Sequence, residues 1–371
     1  MPEKKTIVIS AVNLRKGGTL TILRDCLQYL SDLIREGDYR VVALVHKREL
    51  CDYEGIEYIE MPDIIKGWGK RLWCEYVTMH KISKELAPVY LWLSLHDTSP
   101  RVKADRQAVY CQTSFPFYKW SLRDFRMDFK IPLFAMFTKY AYKVNIKSNR
   151  FLVVQQNWLR EGFSKMFGLD ERRFIVAPPQ KKMIEVVPEE IKNELFTFLY
   201  ASTPDCHKNF ETLCEAARLL ENEIGLERFK VVLTLNGDEN RYSRWLHGRW
   251  GNVRSIEFAG FMSKERLYGH YKSADCFVFP SKVETWGLPI TEYMESSGNK
   301  KILLADLPYA HETAAGAPQV CFFNPSDPKA LKERMKELIQ DKCVALVSVP
   351  KLEIEEPRAE SWKELFEILL S

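Results

Sequence analysis

Cys276-Phe-Val-Phe-Pro280-Ser-Lys-Val-Glu284-Thr-Trp-Gly287-Leu-Pro289-Ile-Thr-Glu292-Tyr-Met-Glu295 is the stretch from which the fold of this chain is read. An unbroken apolar run at 276–280 has the length and composition of a buried strand. Behind it comes a helix start. Pro289 suits the first helical position, where its missing N–H is no loss, and Gly287 lets the chain turn tightly just before it. The N–H groups of such a turn point outward with the positive end of the helix dipole behind them, which makes a place for a phosphate. Glu284 falls in the loop and Glu292 in the first helical turn, and their carboxylates can bracket a ligand, accepting hydrogen bonds from sugar hydroxyls and from ribose. Spacing alone leaves open the plainer alternative, in which Glu292 complements the dipole and Glu284 is a solvated loop residue.

Outward from this stretch the same strand-then-helix alternation covers the chain, the signature of parallel sheets with crossover helices. In the first half, strands are expected at 6–10, 40–45, 56–60, 89–94, 107–111, 151–155 and 174–177. In the second half they are expected at 197–201, 230–235, 255–258, 276–280, 301–304 and 320–323. Leu20, Leu23, Leu27, Leu30 and Ile34 are spaced as one buried helix face. Three prolines, Pro178, Pro179 and Pro188, punctuate a charged stretch where periodicity lapses, so 181–194 reads as a linker between a domain at 1–180 and one at 195–356. Ser361-Trp-Lys-Glu364 has capping-box spacing, and Leu365, Ile368 and Leu369 behind it predict a terminal helix within 357–371.

Composition sets the limits. At 371 residues, two domains are expected, since single cores split beyond roughly 250–300 residues. Apolar residues at 46% and charged residues at 28% are globular values, which disfavours a disordered or fibrous chain. A net charge of +4 is too slight to mark a nucleic-acid binder. No apolar run approaches a membrane span, and the first residues lead straight into a strand with no room for a signal sequence, so a cytoplasmic protein is expected. Nine cysteines without a CxxC pair fit reduced thiols in the core.

The 284–292 segment resembles the E-x7-E motif of the large family of retaining glycosyltransferases with two Rossmann-like domains, the GT-B fold. The resemblance extends through Arg15-Lys-Gly-Gly18, Val154-Gln-Gln-Asn-Trp-Leu-Arg160, Cys206-His-Lys-Asn-Phe210, Phe258-Ala-Gly-Phe-Met262, Ala274-Asp-Cys-Phe-Val-Phe-Pro-Ser281 and Ser361-Trp362. It implies an α/β fold whose two parallel sheets face each other across a cleft, with the last helix crossing back to the first domain and closure about residues 178–195. It implies a nucleotide-sugar donor and a glycan or lipid-linked hydroxyl acceptor, as in bacterial surface-polysaccharide or glycolipid assembly. By the same resemblance Glu284 contacts the donor sugar and Glu292 the ribose, while the backbone of Trp286, Gly287 and Leu288 meets the sugar and distal phosphate. Lys208 pairs with the diphosphate, Gly260, Phe261 and Met262 lie beside the base, and Gly17 and Gly18 form the loop under the donor phosphate. An epimerase or phosphorylase on the same fold, or a non-catalytic sugar-nucleotide or glycan-binding subunit, are the alternatives.

Two positions depart from the family pattern. Ser202 stands where an arginine is common, so Lys208 or a residue such as His207 or Arg254 has to supply the missing charge. Gln112 stands where a histidine is common, and it cannot titrate. His96, at the end of the preceding strand expected at 89–94, is the other candidate for chemistry, with a structural histidine as the alternative; Asp97 beside it is either functional or a turn cap. No D-x-D or ligand-spaced cluster occurs, so neither a metal nor another cofactor is expected. Arg15 and Lys16 flank the glycine loop as ordinary surface cations or as contacts for an anion. From 117 to 150 aromatics interleave with cations, eight against two acids, and such a stretch either meets an anionic membrane, which would place the enzyme at the inner face of the cytoplasmic membrane, or splits into core rings and a solvated basic face. Residues 64–73 form a weaker patch of the same kind.

Overall fold

The computed structural model describes residues 4–180, 186–298, 300–342 and 345–371, so residues 181–185 of the expected linker, and Cys343, lie outside the described residues. Seven strands, β1 (Lys5–Ala11), β2 (Tyr39–Val45), β3 (Ile56–Glu60), β4 (Val89–Ser94), β5 (Arg106–Tyr110), β6 (Phe151–Val154) and β7 (Phe174–Val176), form one sheet in the order β3-β2-β1-β4-β5-β6-β7. Six more, β8 (Phe196–Tyr200), β9 (Phe229–Leu233), β10 (Ile256–Phe258), β11 (Cys276–Phe279), β12 (Lys301–Ala305) and β13 (Val320–Phe323), form a second in the order β10-β9-β8-β11-β12-β13. Every pairing between these strands is parallel, in registers such as Ile7 opposite Val41 and Phe277 opposite Ile302. Strands such as Ile7-Val8-Ile9 and Phe277-Val278-Phe279 are apolar on both faces because helices cover both sides. Each sheet has one place where the strand order reverses, between β1 and β4 in the first and between β8 and β11 in the second. Ligands of open α/β sheets bind outside the strand C-termini at such a point.

The chain divides into two compact units. The first comprises Met1–Thr113, Phe137–Lys181 and Ile354–Ser371, and the second Ser114–Met136 and Lys182–Glu353. Residues 114–136, which the sequence grouped with 1–180, thus keep company with the second sheet. Arg123 forms an ion pair with Glu211 there, and Phe115 and Tyr118 set their rings edge-on to His207, with centroids 5.1 and 6.2 Å away.

In the first unit the helix Gly17–Ile34 turns Leu20, Leu23, Leu27 and Leu30 onto one face of the sheet, as its spacing predicts. Trp362, Leu365, Phe366 and Leu369 of the helix Trp362–Leu370 fill the same core. The Ser361 hydroxyl accepts the Glu364 N–H at 3.1 Å. The opposite face of that sheet holds a second core built on Val8, Val42, Leu44, Met79 and Trp92. The eight described cysteines are buried thiols, and among the described residues no helix is long and apolar enough to cross a membrane.

Candidate functional site

At the reversal point of the second sheet, the loops leaving β8 and β11 are sewn together by backbone bonds. Both the Lys282 N–H (2.8 Å) and the Ser281 hydroxyl (3.3 Å) donate to the His207 carbonyl. Asn209, in the left-handed region at φ 59°, donates its amide to the carbonyls of Pro280 (3.0 Å) and Pro325 (2.8 Å). The Tyr200 hydroxyl, rising from β8, donates to the Lys208 carbonyl at 2.7 Å, and Tyr309 donates to the Ser281 carbonyl at 2.8 Å. These bonds fix two short loops so that the Lys208 ammonium donates to Glu284 Oε1 at 2.6 Å. Both side chains keep a little solvent contact, 15% and 12%. The Glu284 charge helps burial push the phenols of Tyr200 and Tyr309 well up, so the floor beneath the pair is neutral.

Gly287 follows at φ 90°, a conformation costly for any residue with a Cβ, and an added Cβ would meet Ile290 Cδ1 at 3.1 Å. The carbonyl of Trp286 accepts from the Thr313 hydroxyl, which anchors the turn from the far side. The helix Leu288–Ser297 begins at Leu288, so Pro289 is its second residue rather than its first; that N–H also lacks an intrahelical partner, and proline is tolerated there for the same reason. Glu292 consequently falls in the second turn rather than the first. Its Oε2 accepts the Tyr271 hydroxyl at 3.1 Å, and burial raises the acid's pKa above the ordinary glutamate value although that hydrogen bond opposes the rise. Leu288 is half exposed.

The remaining second-unit candidates line neighbouring strand ends. The Ser202 N–H donates to Thr234 Oγ1 at 2.9 Å, which ties the end of β8 to that of β9. Gly260, after β10, has φ 77°, and any side chain there would strike the Asn236 amide. Phe261 next to it is 93% exposed while Met262 is buried. Of the three stand-ins for the missing arginine, only Lys208 brings a charge to this edge of the sheet. Burial, reinforced by Lys208 and Lys282, holds the His207 pKa well below its ordinary value, so that ring is neutral. Arg254 precedes β10, and in a parallel sheet that is the edge opposite to the one Lys208 occupies. Lys282 is engaged as well, 3.2 Å from Glu211, which also meets Arg123 and Tyr242.

The first-unit candidates are engaged within their own unit. His96 follows β4 and is fully buried. Its Nε2 lies 3.2 Å from Ser10 Oγ, and its Nδ1 lies 3.0 Å from Thr98 Oγ1 and 3.6 Å from Glu75 Oε1. Burial, with Arg71 assisting and Glu75 opposing, pulls its pKa down to about 4. Both nitrogens are thus committed inside the unit. Gln112 donates its side-chain amide to the Leu95 carbonyl at 2.6 Å, and its backbone N–H donates to Asp97 Oδ1 at 2.5 Å. Asp97, at φ 71°, thus ties its own turn to the loop after β5, and it is pushed up to about 6 chiefly by burial. Gly17, at φ 63°, and Gly18 open the helix Gly17–Ile34 into free space, since an added Cβ would meet nothing within 4 Å at either. That Phe115, Tyr118 and Arg123 close in around His207 and Glu211 is not legible in the sequence, because a contact across almost a hundred positions leaves no local pattern.

Residues 181–351 match the family described as Glycosyl transferases group 1, a span that holds Lys208, Gly260, Glu284, Gly287 and Glu292. No curated protein matches the sequence. Among solved structures, sucrose-phosphate synthase from Thermosynechococcus elongatus superposes with a TM-score of 0.64 at 14% identity, over 92% of this chain and 91% of that one. WaaG, a glycosyltransferase involved in lipopolysaccharide biosynthesis, gives 0.60 at 13% identity over 90% of each chain. Anabaena HepE, solved in complex with UDP and glucose, gives 0.59 at 13% identity over 91% of this chain and 90% of that one. The fold is GT-B, with two Rossmann-like parallel sheets of seven and six strands.

Proposed function

We propose that this chain is a retaining glycosyltransferase that moves a sugar from a nucleotide-diphosphate donor to a hydroxyl acceptor on a glycan or lipid, without a metal. The observation that carries the reading is the Lys208–Glu284 pair, held at the reversal point of the second sheet directly before the Gly287 turn. A diphosphate arriving there competes with Glu284 for the lysine. The lysine then faces the leaving group, and Glu284 is released to accept hydrogen bonds from the sugar. Breaking the sugar–phosphate bond places positive charge on the ring and negative charge on the diphosphate, so a fixed ammonium and the N–H groups opening the 288–297 helix favour the transition state over the ground state. Glu292, already accepting one hydroxyl from Tyr271, is suited to accept others from ribose. Trp286, Leu288, Ser202, Gly260, Phe261 and Met262 complete the donor side in this reading, Gly17 and Gly18 form the loop under the donor phosphate, and Gln112 stands at the place of the family's histidine. His96 is left to structure. With no nucleophile evident beside the pair, the leaving phosphate itself takes the acceptor proton on the same face.

Thermal-shift titration with nucleoside diphosphates and sugar nucleotides tests the donor assignment. A cognate ligand at a hundredfold its Kd should stabilise by about 2.7 kcal/mol. The product's anomeric configuration, read by NMR, tests retention. A panel in which no nucleoside diphosphate or sugar nucleotide shifts the transition would defeat the reading, and isomerised donor in the absence of acceptor would replace it with an epimerase.

A further inference from the structure

We infer that the outer face of the helix Lys130–Lys143 is a docking surface for an anionic lipid bilayer. Pro132, Ala135, Thr138 and Tyr142 are its buried residues toward the protein. At 100° per residue, Leu133, Met136, Phe137 and Tyr140 fall within an arc of about 100° on the opposite side, and Val144 continues their line just past the last turn. All five are exposed, Phe137 and Tyr140 by 58% each, and Phe129 before the helix by 57%. They are therefore not the core rings that the interleaved pattern also allowed. Lys130 flanks the stripe on one side and Lys139 and Lys143 on the other, the Lys139 ammonium lying 4.9 Å from the Tyr140 ring centroid. From 129 to 160 the sequence contains no aspartate or glutamate.

An apolar stripe edged by lysines, on a helix too short to span, matches a helix lying in the headgroup layer: rings enter the acyl boundary and ammonium groups reach lipid phosphates. A second copy of the chain is the poorer occupant, because stripe against stripe brings like-charged lysines together and offers them no acid. This surface stands whether or not the donor site works as proposed.

Flotation of the full chain with phosphatidylcholine vesicles, with and without phosphatidylglycerol, tests it. Binding should require phosphatidylglycerol and weaken as salt rises. Lys139→Gln with Lys143→Gln should weaken it roughly 25-fold, about fivefold per cation. Phe137→Ser with Tyr140→Ser should reduce it at least about tenfold at unchanged Tm, since both side chains already stand in water. Failure of the parent chain to float with phosphatidylglycerol vesicles overturns the inference. So does undiminished binding by the Phe137/Tyr140 variant, equal binding to both vesicle types, or a concentration-dependent dimer that the same variant dissolves.

Discussion

Each sheet reverses its strand order once, and each reversal point gathers buried ionisable groups, yet the two gatherings are built oppositely. After β1 and β4, His96, Ser10, Thr98, Glu75 and Arg71 satisfy one another, and the imidazole is neutral at any pH above about 4. After β8 and β11, Lys208 and Glu284 form a charged pair with a sliver of solvent contact, over a floor of neutral phenols. A saturated cluster holds a fold together. A pair whose partners can be exchanged for a ligand's is what a binding site needs, because the ligand then replaces an interaction instead of meeting a desolvated, empty charge.

The contrast is most exposed to disproof at the charged pair. Glu284→Ala and Lys208→Ala should each lower transfer by about 10²–10³-fold, the usual effect of removing one electrostatic contact to a transition state. Steady-state rates alongside melting curves check this, and a Glu284→Ala enzyme of normal rate would erase the distinction. At the other reversal point His96→Ala should do the reverse: a loss of about 1–3 kcal/mol of stability from the hydrogen bonds that the ring makes to Ser10 and Thr98, with KM for the donor unchanged. Gly287→Ala falls between the two, at about 1–2 kcal/mol from the left-handed backbone together with a raised donor KM. Glu292→Gln should be mildest at the donor site, raising donor KM roughly three- to tenfold with little change in kcat.

A pH experiment sharpens the saturated side. His96 takes its proton near pH 4 instead of 6.5, so stability it contributes above 6.5 is lost progressively as pH falls toward 4. Asp97 gives up its proton near 6 instead of 3.8, so its penalty, present above about 6, is relieved as pH falls toward 3.8. Across this window the two effects oppose and nearly offset. Asp97→Asn should remove the relief and leave a chain that loses up to about 1.4 kcal/mol per pH unit on acidification, while His96→Gln should gain stability as pH drops. Chemical denaturation between pH 7 and 4 reads both, and parallel profiles for the two variants would dismiss the coupling.

The sequence made the frame legible for a physical reason. All thirteen expected strands are found because a parallel strand buried on both faces is an unbroken apolar run, and Leu20, Leu23, Leu27 and Leu30 declare their helix by spacing alone. The Gly287 turn was visible for the same local reason. What stayed hidden is set by distant partners. His207 looks like a cation until Phe115, Tyr118 and burial make it neutral, and Arg254 looks available until the direction of β10 puts it at the wrong edge. His96 could be read either way until Ser10, eighty-six positions earlier, was found at its ring.

The helix that fills the first unit's core with Trp362, Leu365, Phe366 and Leu369 also sets a timetable for biogenesis. Nascent chains tend to consolidate from the front as they emerge. Here the leading unit must carry an open apolar trench beside Tyr29, on which Phe366 stacks, through the whole synthesis of the second unit, and only the trailing helix seals it. The portion translated first is the last to be completed.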